Sequence, residues 1–468
     1  MTTTDVLVIG AGPAGMIAAR RAADLGARTT LVTRDALGGM AANDGPVPVR
    51  TLAHAARLLR DSRQLGRYGI GVSEPILDFG RLLERVSEVT ADVRTHSLRR
   101  EHLEDLGVTI RENAGTAFFV DPHTIETQEG ARIHATRIIL CGGGTSRRLS
   151  VPGFEFTSTH SDAWSLTQIP RSMLVIGGGA TGAQVASIFN AFGSTVQLFQ
   201  AGRRILTTED EDVSIAVAAG FQRSGIDVRE EFGTIESFVK TPTGVRMNFT
   251  RDDIHDSAEA DLAVVAVGWV ADTSGLELDA AGVEVNERGF IRVDHFLRSS
   301  VPHVFAAGDI TGRLMLVPQA TQDGFVAATN AANGPTMSLG DQVCPIGSFT
   351  EPEYAQVGLT EAKAREGYSV VVGTVQFDET ARTIIDGRTV GFCKLIADRE
   401  SHAILGCHVV GERAVEIVQV VAVAMAGEMK VEELARVALS FPTYAGILIR
   451  AAYRATEQLG IHPDWQAA

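Results

Sequence analysis

The sequence predicts an α/β protein in which two Rossmann-like nucleotide-binding domains precede a C-terminal domain of mixed strands and helices. Three observations carry this. An apolar strand near the start runs into Gly-x-Gly-x-x-Gly and a helix, the same pattern returns after Pro170, and from Val343 the chain changes to alternating strands with two closing helices and no such loop. A length of 468 residues suits about three domains of ~100 to 200 residues each.

The first unit starts at Asp5 and ends in Gly10-Ala11-Gly12-Pro13-Ala14-Gly15. Gly10 permits the tight turn, Gly12 lets backbone approach a pyrophosphate, and Gly15 allows close packing of helix on strand, with the helix N-terminus facing the phosphates. Met16 to Leu25 reads as the helix, and Ala27 to Val32, after Gly26, as the second strand. An acidic residue usually closes that strand and holds a ribose hydroxyl. Here the position is Thr33, with Asp35 two places on, so a rearranged ribose contact is expected.

A Gly/Pro-rich connection, Leu37-Gly38-Gly39 to Arg50, leads into a helical pattern from Thr51 to about Gln64. Residues 78 to 115 read as helix followed by a strand at Val108 to Ile110, with further strands at Ala117 to Val120 and Ile125 to Thr127. Thr136 to Cys141 is a strand ending on Gly142 and Gly143.

The second fingerprint, Ser172 to Gly182, has Gly177, Gly179 and Gly182 in the three glycine positions, Ala180 and Thr181 between them, and a helix to about Phe192. Two such folds suggest two nucleotides. The following strand, Thr195 to Phe199, ends on Gln200, with Arg203 and Arg204 just beyond. A carboxylate there would hold the ribose hydroxyls and repel a 2'-phosphate. Gln200 lacks that charge and the arginines can pair a phosphate, which favours NADPH over NADH; the alternative is that both arginines are solvated surface charges. Asp261 to Val267 is a buried-type strand ending at Gly268. Gly289 to Asp294 and Val304 to Asp309 read as short strands, the second closing on Gly308-Asp309, and the helix after Pro318 carries Ala320 and Gly324. The N-terminal end of that helix suits an anionic or electron-rich group. Strands at Gly367 to Phe377 and Gly391 to Ile396, then helices near Glu412 to Ala426 and Ala445 to Gln458, complete the chain.

The 42 basic and 57 acidic residues give a formal charge of -15, and no Lys/Arg cluster interleaved with aromatics tracks a phosphate backbone, which argues against nucleic acid. The N-terminus lacks a basic region and its first apolar run is strand-length, so neither a signal peptide nor a membrane span is expected, and a cytoplasmic protein is. Cys141, Cys344, Cys393 and Cys407 show no Cys-x-x-Cys spacing, so neither a metal site nor a disulfide framework follows. Cys393 and Cys407 flank two strands with a turn near Arg399 to Ser401. That symmetry can place them opposite each other and within reach of a disulfide under oxidation, which a reducing cytoplasm opposes.

Both fingerprints, Leu37-Gly38-Gly39, Ala307-Gly308-Asp309 and the run Phe349 to Glu361 together resemble the flavoprotein disulfide reductases, over essentially the whole chain and in order. The resemblance implies FAD and a nicotinamide coenzyme, NADPH or NADH. It implies an FAD domain at 1–150 and 271–340, an NAD(P) domain at 151–270, and an α+β interface domain at 341–468 that makes a homodimer. It also implies that Asp309 meets the ribityl-phosphate region of FAD, that Ala320 lies near its pyrimidine end, and that nicotinamide stacks on the flavin.

Four departures bear on function. The family's Leu-Gly-Gly continues Thr-Cys-x-Asn-x-Gly-Cys-x-Pro-x-Lys, and the cysteine positions are Ala41 and Pro46 here. A methyl group or a pyrrolidine ring cannot replace a thiolate nucleophile. The family's His-Pro-Thr-x-x-Glu reads Phe441 to Gly446, so the histidine and its orienting glutamate are both gone. The lysine near the flavin corresponds to Arg50 and its glutamate partner to Gln184, which removes one negative charge and favours added negative charge at the flavin; the alternative is that Arg50 pairs elsewhere, for example with Asp44. Ala180 replaces an aromatic that often covers the flavin. Arg50, Gln184, Phe441 and Tyr444 are the catalytic candidates, Tyr444 as a proton donor or, more simply, as a ring packed on Phe441. The reading expects hydride to pass from NAD(P)H through flavin to a small-molecule acceptor that is not a disulfide: a quinone, a conjugated electrophile or oxygen. Transhydrogenation between nicotinamide pools and a non-catalytic redox-sensing flavoprotein are the alternatives.

Overall fold

The architecture is that of a computed structural model, which describes residues 1–96, 98, 100–340 and 343–462. The chain divides into two compact units, the first made of residues 1–54, 77–147 and 268–342, the second of 55–76, 148–267 and 343–468. Most of residues 151–270 and 341–468, expected as two separate domains, falls in the second unit.

In the first unit the strand Thr2–Ile9 pairs in parallel with Thr29–Val32 on one side and Arg132–Leu140 on the other. Thr109–Arg111 extends the sheet beyond Thr29–Val32, and Val304–Ala306 adds in parallel to Arg132–Leu140. The antiparallel pair Ala117–Asp121 and Thr124–Thr127 continues from Arg132–Leu140. Side chains of successive strand residues point to opposite faces, so Val6-Leu7-Val8-Ile9 feeds two cores. Val6 and Val8 pack with Ala18, Ala22 and Ala327 of the helices Pro13–Asp24 and Val317–Asn333. Leu7 and Ile9 pack with Ile138, Phe119 and Phe290. An uninterrupted apolar run is what a parallel strand covered on both faces requires.

Two expectations are corrected here. The connection 37–50 is largely helical, as Gly39–Asn43 and then Pro46–Ser62. Pro46 and Pro48 sit in the first turn of the second helix, where a missing backbone N–H costs nothing because no intrahelical acceptor is available to it. Gly289 to Asp294 is not a strand; it makes one isolated bridge, Val285 to Ile291.

The second unit holds a parallel sheet in the order Asp227–Glu230, Thr195–Gln200, Ser172–Ile176, Leu262–Val265, beside an antiparallel meander of Thr234–Lys240, Val245–Arg251 and Ile254–Ala260. It also holds an antiparallel sheet in the order Ile346–Ser348, Tyr354–Gly358, Ile404–Val410, Phe392–Asp398, Val370–Gln376. The helices Ala414–Ala426 and Gly446–Gln458 cover one face of that sheet, with Phe377, Val409, Ile417 and Leu448 in the core between. Every residue of Phe392–Asp398 and Ile404–Val410 is buried, so the opposite face is covered as well.

Cys393 and Cys407 lie on the helix-covered face as diagonal neighbours, because Cys393 pairs with Val409 and Cys407 with Leu395. Their sulfurs are 4.0 Å apart and both are free thiols. Among the described residues no helix is long and apolar enough to cross a membrane.

Candidate functional site

The glycines of the two fingerprints sit in matching environments. Gly10 has φ +99° and Gly177 φ +108°, a region closed to most side chains, and a Cβ on either would lie 2.2 Å from a strand carbonyl, that of Cys141 or Ala266. At the third position a Cβ on Gly15 would lie 1.8 Å from the Gly10 oxygen, and one on Gly182 1.8 Å from the Gly177 oxygen. The middle glycines, Gly12 and Gly179, face open space and cap helices that begin at Pro13 and Ala180. Both cradles therefore offer an unobstructed helix N-terminus to a pyrophosphate.

In the first unit the remaining candidates collect at the carboxyl ends of the parallel strands, where a doubly wound sheet binds its ligand. The segment after Thr29–Val32 folds back on the fingerprint: Gly38 N–H donates to Ala11 O at 2.8 Å, and a Cβ on Gly39 would lie 2.7 Å from Gly12 Cα. Thr33 is buried and its N–H donates to Arg111 O, while Asp35 pairs with Arg34. Gly142 and Gly143 follow Arg132–Leu140, and Gly308 and Asp309 follow Val304–Ala306. Gly308 has only alanines around it: a Cβ there would lie 3.1 Å from Ala14 Cβ and 3.4 Å from Ala320 Cβ. Burial, reinforced by Asp323, pushes the Asp309 carboxyl above the usual range. Gly268 belongs to this unit, accepting from Arg147 N–H at 3.0 Å beside the pairing of Trp269–Ala271 with Gly144–Ser146. Ala41 lies in the short helix Gly39–Asn43 and Arg50 in the first turns of Pro46–Ser62. The residues present fit an FAD adenosine-diphosphate cradle.

Sequence reasoning passed over Gln319 and Asp323. Both are fully buried on the helix Val317–Asn333, the Gln319 amide donates to Asp323, and its oxygen accepts from Leu314 and Met315 N–H at 3.0 and 2.9 Å. Two buried polar residues one helical turn apart in an otherwise Ala-rich helix were the available signal.

In the second unit Gln200 turns back on the fingerprint, its oxygen accepting from Gly178 N–H at 2.9 Å. Arg204 is not a surface charge. Its guanidinium donates to the Glu209 carbonyl at 3.1 Å and to Ser214 Oγ. Arg203 is 94% exposed and 4.0 Å from Glu231, which leaves one arginine of the expected two available to a ligand. The Gln184 amide donates to Ala180 O at 3.3 Å, one turn back on the helix Ala180–Ala191.

The segment 441–446 corrects the reading of Tyr444. Phe441 is 82% exposed, so the tyrosine does not pack on it; the nearer ring partner is Phe377, at 6.5 Å between centroids. Tyr444 OH donates to Asp386 Oδ2 at 2.8 Å, and burial together with that carboxylate pushes the phenol well above its ordinary range, the opposite of what a proton donor needs. Arg382 shares Asp386 at 2.8 Å and lines, with Tyr444, Arg413 and Glu416, a cavity of about 310 Å³. Tyr444→Phe is expected to lower stability by about 1.5 to 3 kcal/mol, the worth of a hydrogen bond to a charged group, without changing flavin reduction. Paired melting curves and stopped-flow traces check this.

A family model described as pyridine nucleotide-disulphide oxidoreductase matches residues 4–324, and its dimerisation domain matches residues 344–452. This chain belongs to that family. It is 32% identical to a dihydrolipoyl dehydrogenase of Haloferax volcanii over 98% of this chain and 97% of that protein. It is also 32% identical to the dihydrolipoyl dehydrogenase of Mycobacterium tuberculosis, over 96% of this chain and 97% of that one. The solved structure of the HOCl-induced flavoprotein disulfide reductase RclA from Escherichia coli superimposes with a TM-score of 0.85 at 25% identity, covering 96% of this chain and 99% of RclA. Family members bind FAD and use NAD(P)H, and the chain carries the family's dimerisation domain. The expectation of an acceptor other than a disulfide is overturned by these relatives, whose names are those of disulfide and dithiol enzymes.

Proposed function

We propose that the chain is a cytoplasmic, homodimeric FAD enzyme that moves electrons between a nicotinamide coenzyme and a disulfide–dithiol substrate. The observation that carries the reading is the pair of matched nucleotide cradles inside a full-length match to dihydrolipoyl dehydrogenases. Bound FAD supplies the two-electron chemistry that links the two substrates. The chain's contribution is to hold and orient. The first fingerprint with Gly38, Gly39, Gly142, Gly308 and Asp309 holds FAD, and Gly177 to Gly182 with Gln200 and Arg203 holds the coenzyme. Arg50 provides positive charge at the position where the family has lysine, and Gln184 stands where the family has that lysine's glutamate partner.

Ala41 and Pro46 occupy the positions of the family's cysteine pair, and Phe441 and Gly446 those of its histidine and glutamate. With no thiol in residues 1–140, exchange through that segment does not operate, and the sulfurs that react are the substrate's own. Anaerobic mixing with NADPH and NADH, followed by lipoamide, tests this. Rapid bleaching of the flavin followed by its recovery on adding lipoamide is the expected result, with no loss of turnover after alkylation of the protein's thiols. Bleaching without any turnover of lipoamide or other small disulfides would overturn it.

Arg203 supports NADPH as the preferred coenzyme, because it is the exposed cation at the end of Thr195–Gln200. Arg203→Ala is expected to reduce kcat/KM for NADPH by about tenfold, the worth of a charge-assisted hydrogen bond, and to leave NADH unchanged. Equal losses for both coenzymes would count against it.

A further inference from the structure

The interface domain has no nucleotide motif, yet it reaches the loop that follows Thr195–Gln200. Lys394, in the strand Phe392–Asp398, has a side chain only 2% exposed. Its ammonium is 2.9 Å from Asp210 Oδ1, 2.8 Å from Asp212 Oδ2 and 3.2 Å from Glu361 Oε2. Asp210 stands at the N-cap position of the helix Glu211–Arg223 with its side chain turned away from the helix N–H groups, its second oxygen accepting from Glu361 N–H at 2.8 Å. His408, paired across the strands with Lys394, donates from Nε2 to Leu359 O at 2.9 Å and lies 3.8 Å from Asp210 Oδ2.

From Asp210 the hydrogen bonds run back through the loop. Arg204 donates to the carbonyl of the preceding residue, Glu209. Ser214 Oγ reaches the carbonyls of Ile205 and Leu206 at 2.7 and 3.0 Å. Leu206 N–H then donates to Gly178 O at 2.8 Å, inside the second fingerprint. Residues 200–210 are therefore clamped at one end by the fingerprint and at the other by Lys394. Arg203 stands in the clamped stretch.

We propose that Lys394 is a positioning residue for the coenzyme: it fixes the loop 200–210 and with it the reach of Arg203 toward the adenosine end of NAD(P)H. The inference rests on the reading that the second fingerprint takes the nicotinamide coenzyme. Electrostatics gives the mechanism. One buried cation holds three carboxylates together; without it they repel one another, Asp210 leaves its place at the helix start, and the loop it terminates loosens.

The test uses FAD-loaded enzyme and two readouts, the KM and kcat for each coenzyme and the Kd for NADP+ by calorimetry. Lys394→Met is expected to raise KM and Kd by roughly tenfold or more, as loss of positioning does, with kcat at saturation within about twofold and the preference between NADPH and NADH reduced. Lys394→Arg, which keeps the charge, is expected to recover most of the affinity. A folded Lys394→Met enzyme with unaltered KM and Kd overturns the proposal. Should that variant not fold, Asp212→Asn serves in its place, because the Asp212 side chain is 57% exposed and its loss leaves the core intact; a severalfold rise in Kd supports the clamp and an unchanged Kd overturns it. Wild-type enzyme that binds NADP+ but turns over no disulfide defeats only the functional reading. Wild-type enzyme that binds neither coenzyme defeats both.

Discussion

A Gly15→Ala protein is expected to purify without flavin, and a Gly182→Ala protein to keep its flavin and lose its reaction with NAD(P)H. Each added methyl meets backbone, the carbonyl oxygen of Gly10 or Gly177 at 1.8 Å, and no side-chain rotation relieves the clash. The helix must move off the strand, and with it the N–H groups that meet the phosphates. Overpacking of this kind costs about 1 to 3 kcal/mol and more where backbone is the obstacle, which corresponds to losses of roughly tenfold to hundredfold or greater in affinity. The pair of variants also assigns the two cradles. Visible absorbance of the purified proteins reads the first effect and anaerobic stopped flow the second; flavin retained in Gly15→Ala, or lost only in Gly182→Ala, would reverse the assignment.

The second large effect is a pH dependence at Glu353. This carboxylate lies in a buried cluster of the second unit, 3.7 Å from Arg57, which also pairs with Glu412. Burial and the neighbouring Glu412 push its pKa up to about 7 from an ordinary value of 4.5, against the opposing pull of Arg57. The folded protein thus binds a proton that the unfolded chain releases, so this group's contribution is complete below pH 4.5 and is lost as pH rises through 7. The shift corresponds to about 3 kcal/mol between those limits. Glu353→Gln removes the dependence: relative to wild type it is expected to gain stability progressively from pH 4.5 to 7 and then level off. Melting temperatures of both proteins across that range decide it, and a difference that does not change with pH would refute the burial argument. Glu209, likewise buried and likewise near 7, predicts the same sign.

Much of this was legible in the chain itself. Gly10, Gly12, Gly15, Gly177, Gly179 and Gly182 announced both cradles, because spacing alone dictates which glycine turns, which approaches and which packs. The strands Thr2–Ile9 and Ser172–Ile176 were equally plain as unbroken apolar runs. Local rules failed where a residue's partner is distant in sequence. Pro46 and Pro48 suggested a loop, and only the helix they begin shows that they occupy its first turn. Arg204 read, with Arg203, as a partner for a phosphate or else a solvated surface charge, and it is instead engaged by Glu209 and Ser214. The acceptor was misjudged for a different reason. Absent cysteines at positions 41 and 46 describe one segment's chemistry, whereas likeness over the whole chain to dihydrolipoyl dehydrogenases bears on the substrate.

The sequence by itself determined the two nucleotide cradles with their flanking strands and helices, and the family, since each depends on residues a few positions apart whose steric demands are fixed by the backbone. Tertiary structure alone decided what the titratable side chains do. Tyr444 became a hydrogen-bond donor to Asp386, Glu353 a proton-binding carboxylate, and Lys394 the shared partner of Asp210, Asp212 and Glu361. Charge and hydrogen-bonding roles follow from burial and from partners as far as 355 residues away, as Arg57 and Glu412 are, and neither is written in local pattern.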